Sequence, residues 1–135
     1  MFKAIAPTGI RPPFANYSHG IEVPADFRLA VLSGQLGTDA RDRVPELAVD
    51  QATICFGNVD AILADAGMSR ANVVRINAFV ADRDYMAGYM AARDFWIEGI
   101  DPPPASTLMI VSGFTRPEFK VEIEVLAAAP VSDPG

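Results

Sequence analysis

Phe119 to Val125, FKVEIEV, alternates without a break, and that alternation restricts the chain more than any other feature. A side-chain period of two specifies a strand with two unlike faces. Phe119, Val121, Ile123 and Val125 take one face, and Lys120, Glu122, Glu124 and Leu126 take the other. Two carboxylates on an otherwise core-like strand are either solvated decoration or chemistry, and the strand alone leaves both readings open. As decoration, Glu124 would pair with Lys120 along that face. The approach to the strand is equally constrained. Pro102, Pro103 and Pro104 bar helix and sheet interior. Leu108 to Val111 is a short, apolar, partly β-branched run that fits a buried strand. Ser112-Gly113 and Arg116-Pro117 then mark a loop.

Upstream, Phe2 to Ala6 alternates as an edge strand, and Pro7, Gly9, Pro12 and Pro13 hold the next stretch extended. Ile21 to Val23 reads as a strand closed by Pro24. A turn at Ala25-Asp26 joins it to Leu29–Leu32, and the pair reads as a hairpin. Ser33-Gly34-Gln35-Leu36-Gly37 ends that strand with two glycines, which serve either a plain turn or a close approach of backbone to a ligand. Pro45-Glu46 suits a helix start, and the helix runs to about Ala66, with Cys55, Val59, Ile62 and Ala66 as its apolar stripe and Gly67 as its cap. Val73 to Val80 is a strand with Val74, Ile76, Ala78 and Val80 on one face and Arg75 and Asn77 on the other. Asp82 caps a second helix through about Glu98, with Met86, Met90 or Tyr89, Arg93, and Ile97 or Trp96 as its stripe. Ala127 to Gly135 reads as a loose tail.

Half of the 135 residues are apolar and 21% are charged, the composition of one folded domain, 1–135. Net charge is 11 − 17 = −6, with no Lys/Arg block, so no nucleic-acid partner is expected. Cys55 is the only cysteine, which rules out an internal disulfide and fits a reducing, cytoplasmic compartment. On an apolar stripe it is core filler rather than a nucleophile. One His and one Cys make a zinc site improbable; neither a metal nor a cofactor is expected. His19 lacks a nucleophile elbow to serve and reads as structural. No apolar run approaches the ~20 residues of a membrane span.

The order is strands, helix, strand, helix, strands. Right-handed crossovers place both helices on one face of a single mixed, six-stranded sheet. Two helices cover one face and cannot cover both, yet Leu29–Leu32 and Leu108–Val111 are apolar on both sides. Other copies of the chain are the economical cover, so a symmetric oligomer follows. A Glu122 enclosed there would lose hydration, which raises its pKa toward the range useful for proton transfer.

Asn16-Tyr17-Ser18-His19-Gly20, Leu32-Ser33-Gly34-Gln35, Ala66-Gly67-Met68, Pro104-Ala105-Ser106-Thr107 and Val121-Glu122-Ile123-Glu124-Val125 occur in order across almost the whole chain. Together they resemble the RidA/YjgF family of reactive intermediate deaminases, also known as L-PSP endoribonucleases. The resemblance implies an α+β fold like bacterial chorismate mutase, a homotrimer with sheets inside and helices outside, and three ligand clefts between subunits. It implies hydrolysis of 2-imino and enamino acids to a keto acid and ammonia. By position, the family's site residues correspond to Tyr17, Ser33, Gly34, Ala105 and Glu122. Two departures from the family pattern matter. Ala105 stands where the deaminases carry the arginine that grips the substrate carboxylate, and a methyl group cannot replace a bidentate fork. Tyr89 falls where an asparagine is often found. The chain thus resembles an arginine-lacking branch, with Arg11, Arg75 or Arg116 as substitute cations from elsewhere.

Three functions follow. The first is hydrolysis of a small imine or enamine metabolite, with Glu122 as general acid/base, Tyr17 covering the ligand, and Ser33, Gly34 and Thr107 supplying hydrogen bonds. The second is a non-catalytic metabolite-binding or interaction trimer. The third, disfavoured by the acidic balance and the single His, is a ribonuclease.

Overall fold

The computed structural model describes residues 1–131. Seven strands and two helices follow one another: β1 (Lys3–Ile5), β2 (Gly20–Glu22), β3 (Phe27–Val31), β4 (Gln35–Leu36), α1 (Ala48–Asp65), β5 (Val73–Val80), α2 (Met86–Trp96), β6 (Ala105–Ile110) and β7 (Val121–Pro130). The expected single six-stranded sheet is instead a five-stranded sheet and a separate ribbon. The sheet runs β3-β7-β5-β6 with β4 also on β7, while β1 and β2 pair only with each other. β5 and β6 are parallel across α2, and β7 is antiparallel to its neighbours, so the sheet is mixed.

The expected hairpin of β2 and β3 does not form. Asp26 does turn the chain with positive φ, but β3 pairs with the end of β7, Val31 opposite Leu126 and Phe27 opposite Pro130. That pairing also removes the expected loose tail: Ala127, Ala128 and Ala129 are buried in β7. Alanine has little strand preference of its own, so pairing with β3, joined at Ala127 by β5, decides the matter. Residues 132–135 of the expected tail lie outside the described residues.

The core lies between the sheet and the helices, which occupy one face. Val121, Ile123 and Val125 of β7 and Ile76, Ala78 and Val80 of β5 meet Ala52, Cys55, Phe56, Val59 and Leu63 of α1. The stripe of α1 therefore runs through Leu63, whereas Ile62 is exposed. In β5 the alternation breaks at an irregularity between Val73 and Arg75. Val73 joins the core cluster there in place of Val74, as a bulge that adds one residue would require.

α1 starts at Ala48 rather than at Pro45, because the Pro45 carbonyl accepts a hydrogen bond from the Gln51 side chain. It ends as expected. Gly67 takes positive φ, Gly67 N–H donates to Ala64 O, and Met68 N–H donates to Leu63 O, the paired bonds of a Schellman cap. Asp82 caps a short 3-10 turn that leads into α2. β6 starts at Ala105, earlier than the apolar run suggested, because its backbone pairs with β5 from Arg75 onward.

The other sheet face carries no helix. Leu29 is 63% exposed and Val31 71% exposed, and Met109 is also exposed. Between these apolar margins lie Arg75, Asn77, Glu122 and Glu124. Val31→Asp places a charge on the β3 margin of this face, where the isolated chain already exposes the side chain. If copies of the chain cover the face, light scattering will show a folded monomer for the variant and an oligomer for the parent. Equal masses would show that the face stays bare.

Candidate active site

Glu122 owes its position to the β7 alternation, which sends its neighbours Val121 and Ile123 into the core and its own side chain onto the open face. It is half-buried. In register it stands opposite Phe79 of β5 and Leu36 of β4. Loss of hydration, and secondarily the charge of Glu124, push its pKa above the ordinary carboxylate value. Glu124 is two residues along the same face. It accepts a hydrogen bond from Asn77 Nδ2 at 3.2 Å, and the expected pairing with Lys120 is absent. Lys120 Nζ donates to Glu46 O and lies over the Tyr85 ring.

Gly34, in the loop between β3 and β4, packs on the Glu122 carboxylate. A Cβ at Gly34 would stand 2.8 Å from Glu122 Cδ and overlap Oε2. Glycine here serves a close approach, and the group approached is Glu122. Ser33 is exposed beside it. Gly34→Ala meets only the end of a movable side chain, so it will displace the carboxylate while thermal unfolding stays near the parent value. Retained activity with an unmoved midpoint would detach the carboxylate's position from function.

A polar ladder continues across the open face. Arg75 Nε donates to Asn77 Oδ1 at 2.8 Å, and Arg75 Nη2 donates to Thr107 Oγ1 at 2.6 Å. Ala105 is opposite Arg75 in register. Thus Glu122, Gly34, Ala105 and Thr107 share one face, with Arg75 spent on internal bonds. Neither remaining substitute cation is on that face's ladder. Arg116 pairs with Asp42 and Glu118, and Arg11 covers the Phe14 ring and donates to Pro12 O.

Tyr17 lies elsewhere. Its hydroxyl accepts the Phe14 N–H at 3.1 Å, and its loop is tied to the β6 edge by Ser18, whose hydroxyl donates to Pro103 O. It borders a cavity of about 340 Å³ between α2 and β6, also lined by Phe14, Met86, Met90, Arg93, Ser106 and Leu108. Glu122 does not border that cavity, so a single chain does not unite the two halves of the expected site. Tyr89 is a correction. It is fully buried, with its ring stacked near Phe56 at 6.2 Å, and burial pushes its pKa up to about 12. It belongs to the core of α2 rather than to an open ligand surface, because stacking and apolar contact take up its ring.

Cys55 is sealed in the core, where burial and, secondarily, the Glu122 charge push its thiol up to about 12. That is the state of inert packing. His19 Nε2 contacts Arg11 O at 2.8 Å and holds the N-terminal loop. Among the described residues no cluster of His, Cys, Asp or Glu is placed to hold a metal ion, and no helix is long and apolar enough to cross a membrane. Arg93 and Ser106, which line the cavity beside Tyr17, were not read as site residues from the sequence. Arg93 had left one signal, a guanidinium at an apolar-stripe position.

A two-layer α+β chain with a half-buried glutamate on the bare face of a mixed sheet defines a small class of proteins. The sequence comparison gives that class its name: residues 8–129 match the endoribonuclease L-PSP family, and the chain belongs to this RidA/YjgF family. A RutC family protein of Haemophilus influenzae is 30% identical over 111 residues, 78% of this chain and 87% of the relative. Protein DfrA of Myxococcus xanthus is 32% identical over 126 residues, 92% and 90% of the two chains. The crystal structure of the Rid-family protein YyfB of Yersinia pestis superposes with a TM-score of 0.83 at 27% identity, covering 95% and 98% of the chains. That of the Escherichia coli YjgF gene product gives 0.69 at 25% identity, covering 93% and 97%.

Proposed function

We propose that three copies of this chain enclose their open faces and hydrolyse a small imine or enamine metabolite in the clefts between them. The observation that carries the reading is Glu122. It is a carboxyl of raised proton affinity, set against Gly34 on a face too apolar at its margins to stay in water. In the reaction Glu122 takes a proton from the attacking water as the oxygen bonds to the imine carbon. It delivers that proton to nitrogen to give a carbinolamine, then carries the proton of the new hydroxyl to the same nitrogen as the C–N bond breaks, so that ammonia leaves with a carbonyl product. Imine plus water thus balances carbonyl plus ammonia, and no cofactor enters. Ser33, Gly34 and Thr107 border the substrate on the glutamate side, and Tyr17 of a neighbouring copy covers it.

Ala105 favours a second reading, a trimer that binds a metabolite without turning it over. On this reading the chain belongs to a branch of the family without the arginine, and Arg75 beside Ala105 is already bonded to Asn77 and Thr107. The ribonuclease reading finds least support, given a net charge of −6. Ammonia release from a panel of freshly generated imines, with and without a carboxylate, separates the first two. Release above the buffer rate supports the hydrolase. Ligand-induced thermal stabilisation without release would leave the binding trimer.

A further inference from the structure

We propose that two copies of this chain pair through their outer helix layer, each seating its Phe95 ring in the groove between α1 and α2 of the other. This surface lies on the helix side of the sheet, away from the open face. The pairing is therefore independent of the chemistry assigned to Glu122 and doubles whatever assembly the open face forms.

The groove has a volume of about 190 Å³ and is lined from both helices, by Thr53, Gly57 and Asp60 of α1 and by Ala92, Phe95 and Trp96 of α2. Its polar side chains are already bonded within the chain. Thr53 Oγ1 donates to Val49 O at 2.9 Å. Asp60 accepts from Trp96 Nε1 and from Arg70 Nη2, both at 2.9 Å, and Arg70 Nη1 donates to Trp96 O at 3.0 Å. What the groove still offers is apolar contact, from Ala92 and from the Phe56 and Trp96 rings, which stack 4.6 Å apart. It is smaller than the sites that take small molecules, whereas an apolar cavity of about 150 Å³ accepts a benzene ring. One aromatic side chain has the matching size and chemistry.

Gly57 points to an occupant from outside the chain. It sits inside α1, where glycine weakens a helix relative to alanine, and its φ is not positive. A Cβ there would meet nothing within 4 Å. Among the described residues, nothing in the chain's own packing calls for glycine at this position. A second surface pressed into the groove does.

The chain carries a suitable ring on the same surface. Phe95 is 77% exposed at the groove. A projecting ring beside a hole that fits it is self-complementary: a twofold axis between them brings each ring to the other's hole at once, and the contact closes between two chains. The charges agree with this arrangement. Asp94 and Glu98 are exposed beside Phe95. Arg70, partly exposed, is the one cation among the described residues that line the groove. Seating Phe95 brings the acidic flank of one copy to the arginine of the other, which favours this register.

The test is light scattering of the whole protein from low to high micromolar concentration, beside the same series for Phe95→Ser. The parent mass is expected to double as concentration rises. The variant should stay at the undoubled mass, its association weakened by about 30-fold or more, the worth of a central aromatic anchor. Gly57→Met fills the groove from α1 and should also stop the doubling. At a dilution where neither protein pairs, its thermal midpoint should equal or exceed the parent's, because methionine is the better helix former. Loss of pairing in a chain of undiminished stability separates a blocked contact from a damaged fold. Val31→Asp, monomeric at dilution, should reach a dimer at high concentration through the helix layer alone. A parent mass that never doubles would leave the groove to a different partner and overturn the proposal. Doubling that persists in Phe95→Ser or in Gly57→Met would overturn it as well. Neither result touches ammonia release, so this pairing and the role of Glu122 fail separately.

Discussion

Glu122→Gln will lower the rate of ammonia release by about 10²- to 10⁴-fold, the usual worth of a positioned general acid–base group. Glutamine keeps the size and shape of the side chain against Gly34 but neither gains nor loses a proton. The loss should fall on kcat rather than on substrate affinity, since a proton moving in the transition state is what disappears. The same variant has a signature in stability. Burial and Glu124 raise the folded-state pKa of Glu122, so the folded chain keeps this proton to higher pH than the unfolded chain does. The carboxyl's contribution is complete below the unfolded-state pKa and is lost as pH rises through the raised value. Denaturant midpoints of parent and Gln variant should therefore converge in acid and separate at neutral pH, with the variant the more stable. The gap will be small, because solvent reaches the carboxylate. Unchanged kcat would remove Glu122 from the chemistry. A variant less stable than the parent at neutral pH would contradict the raised pKa.

The largest loss of stability is expected at Gln51. This side chain is fully buried in the first turn of α1. Its Nε2 donates to Pro45 O at 2.8 Å and Glu118 O at 2.9 Å, while its Oε1 accepts the Lys120 N–H at 2.8 Å. Three backbone groups from two distant loops are satisfied by one amide. Gly37 packs against it so closely that a Cβ there would come within 2.8 Å of Gln51 Cα. Gln51→Ala strands two carbonyls and an N–H and leaves a void, together about 3–5 kcal/mol in urea unfolding. A loss under about 1 kcal/mol would mean that water replaces the amide without penalty. Because Lys120 immediately precedes Val121 and Glu122, the substitution should also loosen the entry to β7 and depress turnover in the chains that remain folded.

What could be read from residues alone followed local period and local chemistry. The alternation of Val121 to Val125 placed Glu122 and Glu124 opposite the core, and Gly67 marked the end of α1. The bare face followed from counting helices against strands apolar on both sides. Pairing partners were not legible, because they join distant residues. Nothing near Ile21–Val23 says that its neighbour is Lys3–Ile5 rather than Leu29–Leu32. Nothing in Ala127–Ala129 announces a strand until β3 lies beside it. The bulge that puts Val73 in the core is likewise a property of the β5–β7 register. At the site, Gly34 was legible only as either a plain turn or a close approach to a ligand, and not as an approach to Glu122. Tyr89 and Arg93 are separated by one helical turn; the stripe put Arg93 inward but left Met90 and Tyr89 as alternatives. Which of them meets open space depends on how the N-terminal loop closes over the β6 edge.

The seclusion of Cys55 has a consequence for how this molecule ages. Its sulfur reaches toward Val121 O at 3.9 Å from beneath β7, and it is the only sulfhydryl the chain owns. Peroxide and electrophilic metabolites find no thiolate on the native surface. Alkylation must wait until α1 lifts from the sheet, so thiol damage would accumulate in chains that have already begun to come apart.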